Sequence, residues 1–200
     1  DRLQAAVSSE GAVPGSKFLP TPLRKRLAWT MMDKKYAHDM LFDVAHMARH
    51  VAGFEKLVVV ALDQKTTRAC AAGGISSASA GASQTGGVTS GRMKGVSNAL
   101  VEVVQGAKFK ASLWFVQHKY DFVFFEADVW FTKSIDVLWS AAHRDVVTYQ
   151  ESRRAPLEDL DLYVAAHQNN PTSTNIGVYA ARATDASREF FAGLLEEMRL

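Results

Sequence analysis

The amino-acid sequence predicts an α/β fold in which helices cover both faces of a mostly parallel sheet. Near the start of the chain, a strand-like run, a helical pattern and a second strand-like run follow one another closely. The second run, KLVVVALD at residues 56 to 63, is continuously apolar and rich in β-branched residues, which is typical of a strand buried on both faces. A later run, DFVFF at residues 121 to 125, has the same apolar character. This alternation favours one doubly wound domain.

The composition excludes several classes of protein. Among 200 residues, 23 lysines and arginines are balanced by 21 aspartates and glutamates, which gives no electrostatic reason to expect a nucleic-acid partner. No run is apolar enough to cross a membrane. The single cysteine, Cys70, excludes an internal disulfide framework. The chain begins at Asp1 without a signal-peptide pattern, so we expect a piece of a longer protein, with an upstream anchor left open.

The first elements follow a proline-containing lead-in at residues 1 to 24, which leaves residues 25 to 200 as the domain. LAWTMM, at residues 27 to 32, has the length and apolar character of a strand. After Asp33, apolar residues recur at steps of three and four from Met40 to Val51, which predicts a helix that starts just after Asp33. Gly53 follows closely, and a glycine just past a helix is a common terminator.

Residues 70 to 91 interrupt this pattern, since nearly all of them are alanine, glycine, serine or threonine. Such a segment has little apolar surface to offset its ordering entropy, so we predict a long flexible loop. The next helix is predicted to begin near Ser97, a candidate N-cap. Its expected buried stripe is Leu100, Val104, Ala107, Ala111, Trp114 and His118.

The carboxyl-terminal half continues the alternation of strands and helices. We predict a strand over residues 121 to 131, a short helix over residues 135 to 142 and a strand over residues 145 to 150. A polar loop then leads to a last strand at residues 175 to 182, and a helix runs from Asp185 to the end. No internal repeat is visible in this order.

The residues with the clearest chemical meaning are Glu126 and Asp128, near the end of the strongest strand. In an extended chain, side chains two residues apart point to the same side. The carboxyl end of a central strand is also where open α/β sheets bind ligands. Two converging carboxylates there suit a hard divalent cation, Mg²⁺ or Mn²⁺, which can clamp a diphosphate. The alternative is that both acids are simply solvated.

Four segments of the sequence together resemble one protein family. FVFFEADVWF, at residues 122 to 131, is similar to the metal-binding strand of nucleotide-diphospho-sugar transferase domains, the GT-A-fold glycosyltransferases that include plant and algal arabinosyl-, xylosyl- and galactosyltransferases. The other three segments agree in order and spacing. They are KLVVVALDQKTTRAC at residues 56 to 70, KFKASLWFVQHKYDFVFFEAD at residues 108 to 128 and TNIGVYAAR at residues 174 to 182. The resemblance extends over residues 25 to 190.

The resemblance implies a transferase that moves a sugar from a nucleotide diphosphate, usually UDP, to a glycan or glycoprotein acceptor, with retention at the anomeric carbon. It also implies Mn²⁺, or Mg²⁺ in its place, at the acidic motif, with Asp128 as the main ligand and Glu126 as its partner. The implied location is the Golgi lumen, behind a membrane anchor outside this fragment. No catalytic residue is assigned.

Four further residues are candidates for binding the nucleotide sugar. Asp63 ends a buried strand, where an acid can meet a nucleoside, although a turn or helix-cap role explains it equally well. Lys110 lies on the helix that leads into the acidic strand and could reach a phosphate, although a solvated lysine is the simpler interpretation. Asn175 and Gly177 could shape the sugar pocket, since glycine lets the backbone approach a ligand, and packing is the alternative.

Departures from the family pattern leave two alternative functions open. Glu126 stands where the family has aspartate, residues 132 to 134 replace the usual Arg-Asp-Pro, and the chain ends at Leu200, before later acceptor-site residues of the family. The domain is alternatively an inactive relative that serves as a binding or scaffold module. A metal-dependent phosphohydrolase is a second alternative, but it needs more acids at neighbouring strand ends than Asp63.

Two other groups of residues require interpretation. Asp39, Asp43, His46 and His50 share one predicted helix face, a spacing that suits zinc and equally suits a solvated polar face. Several aromatic residues are interpreted as parts of the core. They are Trp114, Phe115, Trp130, Phe131 and Trp139.

Overall fold

The computed structural model describes residues 25 to 80, 98 to 135, 162 to 167 and 170 to 198. Six strands and four α-helices lie in these ranges. In chain order they are β1 (Lys25–Met32), α1 (Lys34–His46), β2 (Leu57–Ala61), α2 (Gln64–Ala72), β3 (Ser76–Ser79), α3 (Asn98–Gln117), β4 (Tyr120–Phe125), β5 (Leu162–His167), β6 (Asn170–Ala181) and α4 (Asp185–Glu197). None of the helices in these ranges is both long and apolar enough to span a bilayer.

The six strands form one sheet in the order β3-β2-β1-β4-β6-β5. β1 pairs in parallel with β2 and with β4, and β3 pairs in parallel with the outer side of β2. β6 runs antiparallel to both β4 and β5. Parallel neighbours require a crossover connection, which α1 and α2 provide between the first three strands. The predicted α/β class with a mostly parallel sheet is confirmed.

Helices cover both faces of the sheet, as the sequence predicts. Leu41 of α1 and Cys70 of α2 lie in the core on one face. Phe115 of α3 and Phe191 of α4 lie in the core on the other face. Successive residues of β4 alternate between these two cores, because side chains of a strand point to opposite faces in turn. Both faces are therefore buried, which explains why the central strands are continuous apolar runs.

α1 begins where the sequence predicts and ends with a change of helix type. The buried carboxylate of Asp33 caps the helix by accepting hydrogen bonds from the amides of Lys35 and Tyr36, each at 3.0 Å. Beyond its last residue, α1 continues as a π-helical turn, Met47–Val51. Gly53 then adopts a φ of +77°, so the predicted glycine terminator is confirmed.

The predicted flexible loop at residues 70 to 91 is wrong for its first part. Cys70 belongs to α2 and is fully buried, and β3 pairs in parallel with β2 from Ser76 onward. The prediction considered side-chain surface alone, whereas backbone hydrogen bonds to an already ordered neighbouring strand stabilise β3. Residues 81 to 91 lie outside the described residues.

The antiparallel edge of the sheet differs from the sequence prediction. The strand predicted over residues 175 to 182 is the second half of a longer strand, β6, which begins at Asn170. β5 pairs with it at a position where we predict a polar loop, and the pairing contains two register irregularities. β5 has only six residues, which are too few for periodicity to distinguish a strand from other apolar segments. β6 begins three residues after β5 ends, so the two strands are neighbours in sequence, and their polar junction is the segment that we predict as a loop.

Several predictions concern residues that the structure does not describe, and they stay predictions. They are the lead-in at residues 1 to 24, the N-cap at Ser97, the short helix after Ile135, the strand at residues 145 to 150 and the core position of Trp139.

α3 buries a face next to the predicted stripe. From residue 104 onward, its buried residues are Gly106, Lys108, Ala111, Ser112, Phe115 and Val116. Of the predicted stripe, Ala111 is buried, Trp114 is half-buried and His118 is exposed. The helix also packs on α4, where the rings of Phe109 and Phe191 lie 6.4 Å apart. Apolar residues therefore occupy more than one side of α3, and periodicity alone does not identify the side that faces the sheet.

The aromatic residues assigned to the core follow the prediction only in part. Phe115 is fully buried, and Trp114 and Phe131 are half-buried. Trp130 is 51% exposed, so its assignment to the core is wrong. It lies beyond the end of β4, where the chain leaves the sheet and the burial pattern of a strand no longer applies.

Two adjacent phenylalanines of α4 test this packing. Phe191 is buried against Phe109, Phe122 and Tyr179, whereas Phe190 is 45% exposed. Phe191→Ala is expected to lower the free energy of unfolding by about 3–5 kcal/mol through lost burial and the cavity that remains. Phe190→Ala, the matched control, is expected to cost less than about 1 kcal/mol. Urea titrations followed by circular dichroism measure both, and equal losses would contradict the packing of α4.

Asp63 connects the end of β2 to the starts of two helices. Its Oδ1 accepts the amide of Thr66 at 2.9 Å, and its Oδ2 accepts the amide of Lys34 at 2.6 Å and the hydroxyl of Thr66 at 3.2 Å. Burial opposes ionisation of this carboxyl, but these hydrogen bonds and one from the amide of Lys65 outweigh it and lower the pKa of Asp63 below its ordinary value. The helix-cap interpretation of Asp63 is confirmed.

Asp63→Asn is expected to remove a pH-dependent part of the stability. A carboxyl whose pKa is lowered by folding stabilises the native state above its unfolded pKa of about 4, and the contribution is lost as the pH falls through the lower folded value. Wild type should therefore lose more stability than Asp63→Asn between about pH 5 and pH 2, in urea titrations at each pH. Asp43→Asn, at an exposed acid of α1, is the control. Parallel pH curves for wild type and Asp63→Asn would contradict this role.

Candidate functional site

A pocket opens at the carboxyl ends of β1, β2 and β4, in the region where the sequence predicts the site. Its volume is about 220 Å³. This is the edge of an open α/β sheet at which ligands bind. The lining residues come from the strand ends, the first turn of α1 and one side of α3, and they are Met31, Asp33, Tyr36, Leu62, Val104, Gln105, Lys108, Phe124, Glu126, Ala127 and Asp128.

Glu126 and Asp128 both line this pocket, but not because the strand continues through them. β4 ends at Phe125, and the amide of Val129 donates a 2.9 Å hydrogen bond to the carbonyl of Glu126. Residues 126 to 129, here named the acidic turn, therefore form a turn, and the predicted extension of the strand beyond residue 125 is wrong. Both acidic side chains are exposed. The turn, and not the alternation of a strand, brings them to the same pocket.

The side chain of Lys108 connects α3 to the acidic turn. Its ammonium lies 3.0 Å from Oε1 of Glu126, 3.4 Å from the carbonyl oxygen of Ile176 and 4.5 Å from the centre of the Phe124 ring. Only 3% of the Lys108 side chain is exposed, against 48% of that of Glu126. Burial lowers the pKa of Lys108 below its ordinary value, and the charge and hydrogen bond of Glu126 oppose this shift.

β6 holds the acidic turn from the other side. The amide of Glu126 donates a 2.8 Å hydrogen bond to the carbonyl of the buried Gly177, and the neighbouring Ile176 contacts Lys108. Asn175 lies on the same strand, in the part that pairs with β5. α3, the end of β4 and β6 therefore meet at one point.

Two of the predicted binding residues lie beside this pocket and not in its wall. Leu62 lines the pocket, whereas the carboxylate of the adjacent Asp63 is bonded to the first turns of α1 and α2. Lys110 is exposed on α3, about 200° around the helix from Lys108. Of these two lysines, Lys108 is the one that reaches the acidic turn. Contacts of Asp63, Lys110 and Asn175 with a nucleotide sugar stay predictions.

The pKa of Tyr36, in the first turn of α1, is affected by the charges of the pocket. Burial raises the pKa of its phenol, and the negative charges of Asp128, Asp33 and Glu126 raise it further. Three carboxylates therefore act on the same phenol, and Lys108 is the neighbouring cation. A pocket with this charge favours cations over anions.

Sequence analysis missed three residues of this pocket, Lys108, Asp33 and Tyr36. Helical spacing could have identified Lys108, because it precedes Ala111 and Phe115 by three and seven residues on the buried face of α3. Asp33 follows β1 as Asp63 follows β2, so the two strand ends could have been compared. No local signal distinguishes Tyr36, because its position in the pocket depends on how α1 packs beside the acidic turn.

The carboxylates of the acidic turn fit a hard divalent cation by their chemistry. They are exposed oxygen donors that line one pocket, and Mn²⁺ and Mg²⁺ prefer oxygen ligands. They are a pair and not a full set of ligands. In the ranges that the structure describes, no group of three or more His, Cys, Asp or Glu side chains is arranged to hold a metal ion. Oxygen atoms of water or of a diphosphate would complete the coordination.

The polar face of α1 supports the solvated interpretation. Asp39, Asp43, His46 and His50 are all exposed. The rings of His46 and His50 lie 4.6 Å apart, but Asp39 pairs with His38 at 2.8 Å. The described part of the chain therefore gives no support to a zinc site on this face.

A comparison with protein families agrees with this geometry. The model of the nucleotide-diphospho-sugar transferase family matches residues 52 to 200, which is most of the chain. None of the curated proteins compared with the chain matches it. The resemblance seen in the sequence and the GT-A-like α/β fold are thereby confirmed, at the level of the family and without its plant and algal subdivisions. The chain belongs to the nucleotide-diphospho-sugar transferase family.

Proposed function

We propose that this domain, a nucleotide-sugar transferase by family, takes a UDP-sugar as its donor and a glycan or glycoprotein as its acceptor, with the help of Mn²⁺ or Mg²⁺. The observation that carries the proposal is the placement of the acidic turn, whose two carboxylates line one pocket at the carboxyl end of the sheet. Such an edge, with paired acids and an adjacent lysine, suits a metal-bound diphosphate.

Asp128 is the residue that we assign to the cation, with Glu126 beside it. When bound, the cation would neutralise the negative charge that develops on the diphosphate as it leaves the sugar. The chain itself supplies apolar surface for the nucleoside through Leu62 and Tyr36 in the pocket wall. In the same wall, Oε1 of Gln105 is buried without a hydrogen-bond partner among the described residues. A hydroxyl of the donor would satisfy that oxygen.

The family resemblance supports three further proposals. They are retention of configuration at the anomeric carbon, a location in the Golgi lumen, and attachment to the membrane through a segment outside residues 1 to 200. Family membership supports the transfer of a sugar in general. No described residue is assigned here as the catalytic nucleophile or base.

An inactive relative is the second candidate, and the ion pair between Lys108 and Glu126 favours it. A carboxylate that already neutralises a lysine is a poorer ligand for a metal ion. The phosphohydrolase alternative receives no such support. Asp33 and Asp63, the acids at the ends of β1 and β2, are hydrogen-bonded as helix caps.

Asp128→Asn is expected to abolish the effect of Mn²⁺ on UDP binding. In wild type, Mn²⁺ should raise the affinity for UDP by about tenfold or more, equivalent to about 1.4 kcal/mol, because the cation bridges carboxylate and diphosphate. Isothermal titration calorimetry with and without Mn²⁺ measures this effect. The control is Asp43→Asn, which should respond as wild type does. Equal UDP affinity with and without Mn²⁺ in wild type would contradict the metal assignment.

An assay of UDP release from a panel of UDP-sugars distinguishes an active transferase from an inactive relative. We expect the full-length protein to hydrolyse at least one donor slowly in the presence of Mn²⁺, since water can replace the acceptor. Asp128→Asn should lower this rate by about 100-fold or more through the loss of charge stabilisation. UDP binding without release from any donor would instead support a binding or scaffold module.

A further inference from the structure

The ammonium of Lys108 is almost completely removed from solvent at the edge of the pocket. Its side chain is 3% exposed, and it contacts Oε1 of Glu126, the carbonyl of Ile176 and the ring face of Phe124. Of these three partners, Glu126 is the one with a negative charge. A buried ammonium without a counter-ion is strongly unfavourable. The carboxylate of Glu126 is therefore already engaged in neutralising Lys108.

Asp128 is in a different situation, although it belongs to the same turn. Its side chain is exposed, and it makes no hydrogen bond or ion pair with any residue that the structure describes. It lines the same pocket as Tyr36. The two carboxylates thus differ in their surroundings. Glu126 is paired with a buried cation, whereas Asp128 lies at the open pocket.

We propose that Lys108 is a positioning residue that holds Glu126 as its counter-ion, so that Asp128 is the carboxylate of the acidic turn that binds a divalent cation. The proposal rests on the proposed function, which supplies the divalent cation. Glu126 then acts on the site indirectly, because its ion pair with Lys108 fixes the turn from which Asp128 projects.

The length of the glutamate side chain supports this division of roles. An aspartate at position 126 would withdraw the carboxylate by about 1.5 Å, the length of one carbon–carbon bond. The present contact between Lys108 Nζ and Glu126 Oε1 is 3.0 Å, and a hydrogen bond does not persist when it is stretched that far. Glutamate is therefore the acid that reaches the buried ammonium from the end of β4. The departure from the family's aspartate matches the position of Lys108.

The neighbouring backbone contacts explain why the turn depends on this pair. The amide of Glu126 donates a hydrogen bond to the carbonyl of Gly177, and the ammonium of Lys108 contacts the carbonyl oxygen of Ile176. The ion pair therefore joins α3, the end of β4 and β6. It also removes one net negative charge from the surface that a diphosphate meets, which lowers the repulsion between them.

A measurement of Mn²⁺ binding in the absence of nucleotide distinguishes the role of Asp128 from that of Glu126. Water-proton relaxation detects bound Mn²⁺ directly, including at weak sites. Asp128→Asn is expected to weaken Mn²⁺ binding by about tenfold or more, and Glu126→Gln by less than about threefold, although each removes one negative charge from the same turn. Both side chains are exposed, so both variants are expected to fold.

Lys108→Met provides the complementary measurement, because methionine fills the space of the lysine stem without its charge. It should release Glu126 and strengthen Mn²⁺ binding by about threefold or more, and adding Glu126→Gln should remove that gain. The matched control is Lys119→Met, at an exposed lysine before the opposite end of β4, and it should leave Mn²⁺ binding unchanged. A lysine with a purely structural role would alter unfolding but not Mn²⁺ binding.

Urea unfolding of the same variants tests the ion pair itself. Glu126→Gln should lower stability in wild type, because it leaves Lys108 without a counter-ion, and should cost nothing further in the Lys108→Met background. The proposal is overturned if Glu126→Gln weakens Mn²⁺ binding as much as Asp128→Asn does, if Lys108→Met leaves it unchanged, or if wild type binds no Mn²⁺. If Lys108→Met does not fold, the comparison of Glu126→Gln with Asp128→Asn decides. Since no nucleotide is present, failure of UDP binding would contradict only the proposed function.

Discussion

The buried ammonium of Lys108 and its ion pair with Glu126 constrain the whole site. A charge that is removed from water has to be neutralised where it lies, so the lysine on α3 and the glutamate after β4 cannot move independently. β6 adds to this contact through the carbonyls of Ile176 and Gly177. Each of three segments that resemble the family contributes one part of this junction. These three segments therefore meet at one place in the structure.

The parallel part of the sheet decides where the pocket lies. Because β1, β2 and β4 run in the same direction, their carboxyl ends open on the same edge, and an acid follows each of them. These acids have different roles despite similar positions. Asp33 and Asp63 cap helices, Glu126 neutralises a lysine, and Asp128 faces the pocket. The role of each carboxylate depends on whether its neighbours offer it backbone amides, an ammonium or open space. Its position after a strand does not decide the role.

The replacement of the family's aspartate by Glu126 has a physical explanation in this chain. The longer side chain spans the distance to Lys108, which is itself fixed by the packing of α3 on the sheet. A change that appears in the sequence as a weakened metal motif is, in the structure, part of an ion pair. Family membership and this geometry are compatible with our proposal of an active transferase in which Asp128, in the pocket wall, binds the cation.

The sequence by itself determined the α/β class, the buried strands, the helix start at Asp33 and the family. These features depend on patterns within a single segment, such as the apolar runs of β2 and β4, or on short motifs. The tertiary structure decided which side of α3 faces the sheet, and hence that Lys108 and not Lys110 reaches the acidic turn. It also decided that β3 pairs with β2 and that the backbone of β6 holds the acidic turn. These depend on contacts between segments that are distant in sequence, which local periodicity does not encode.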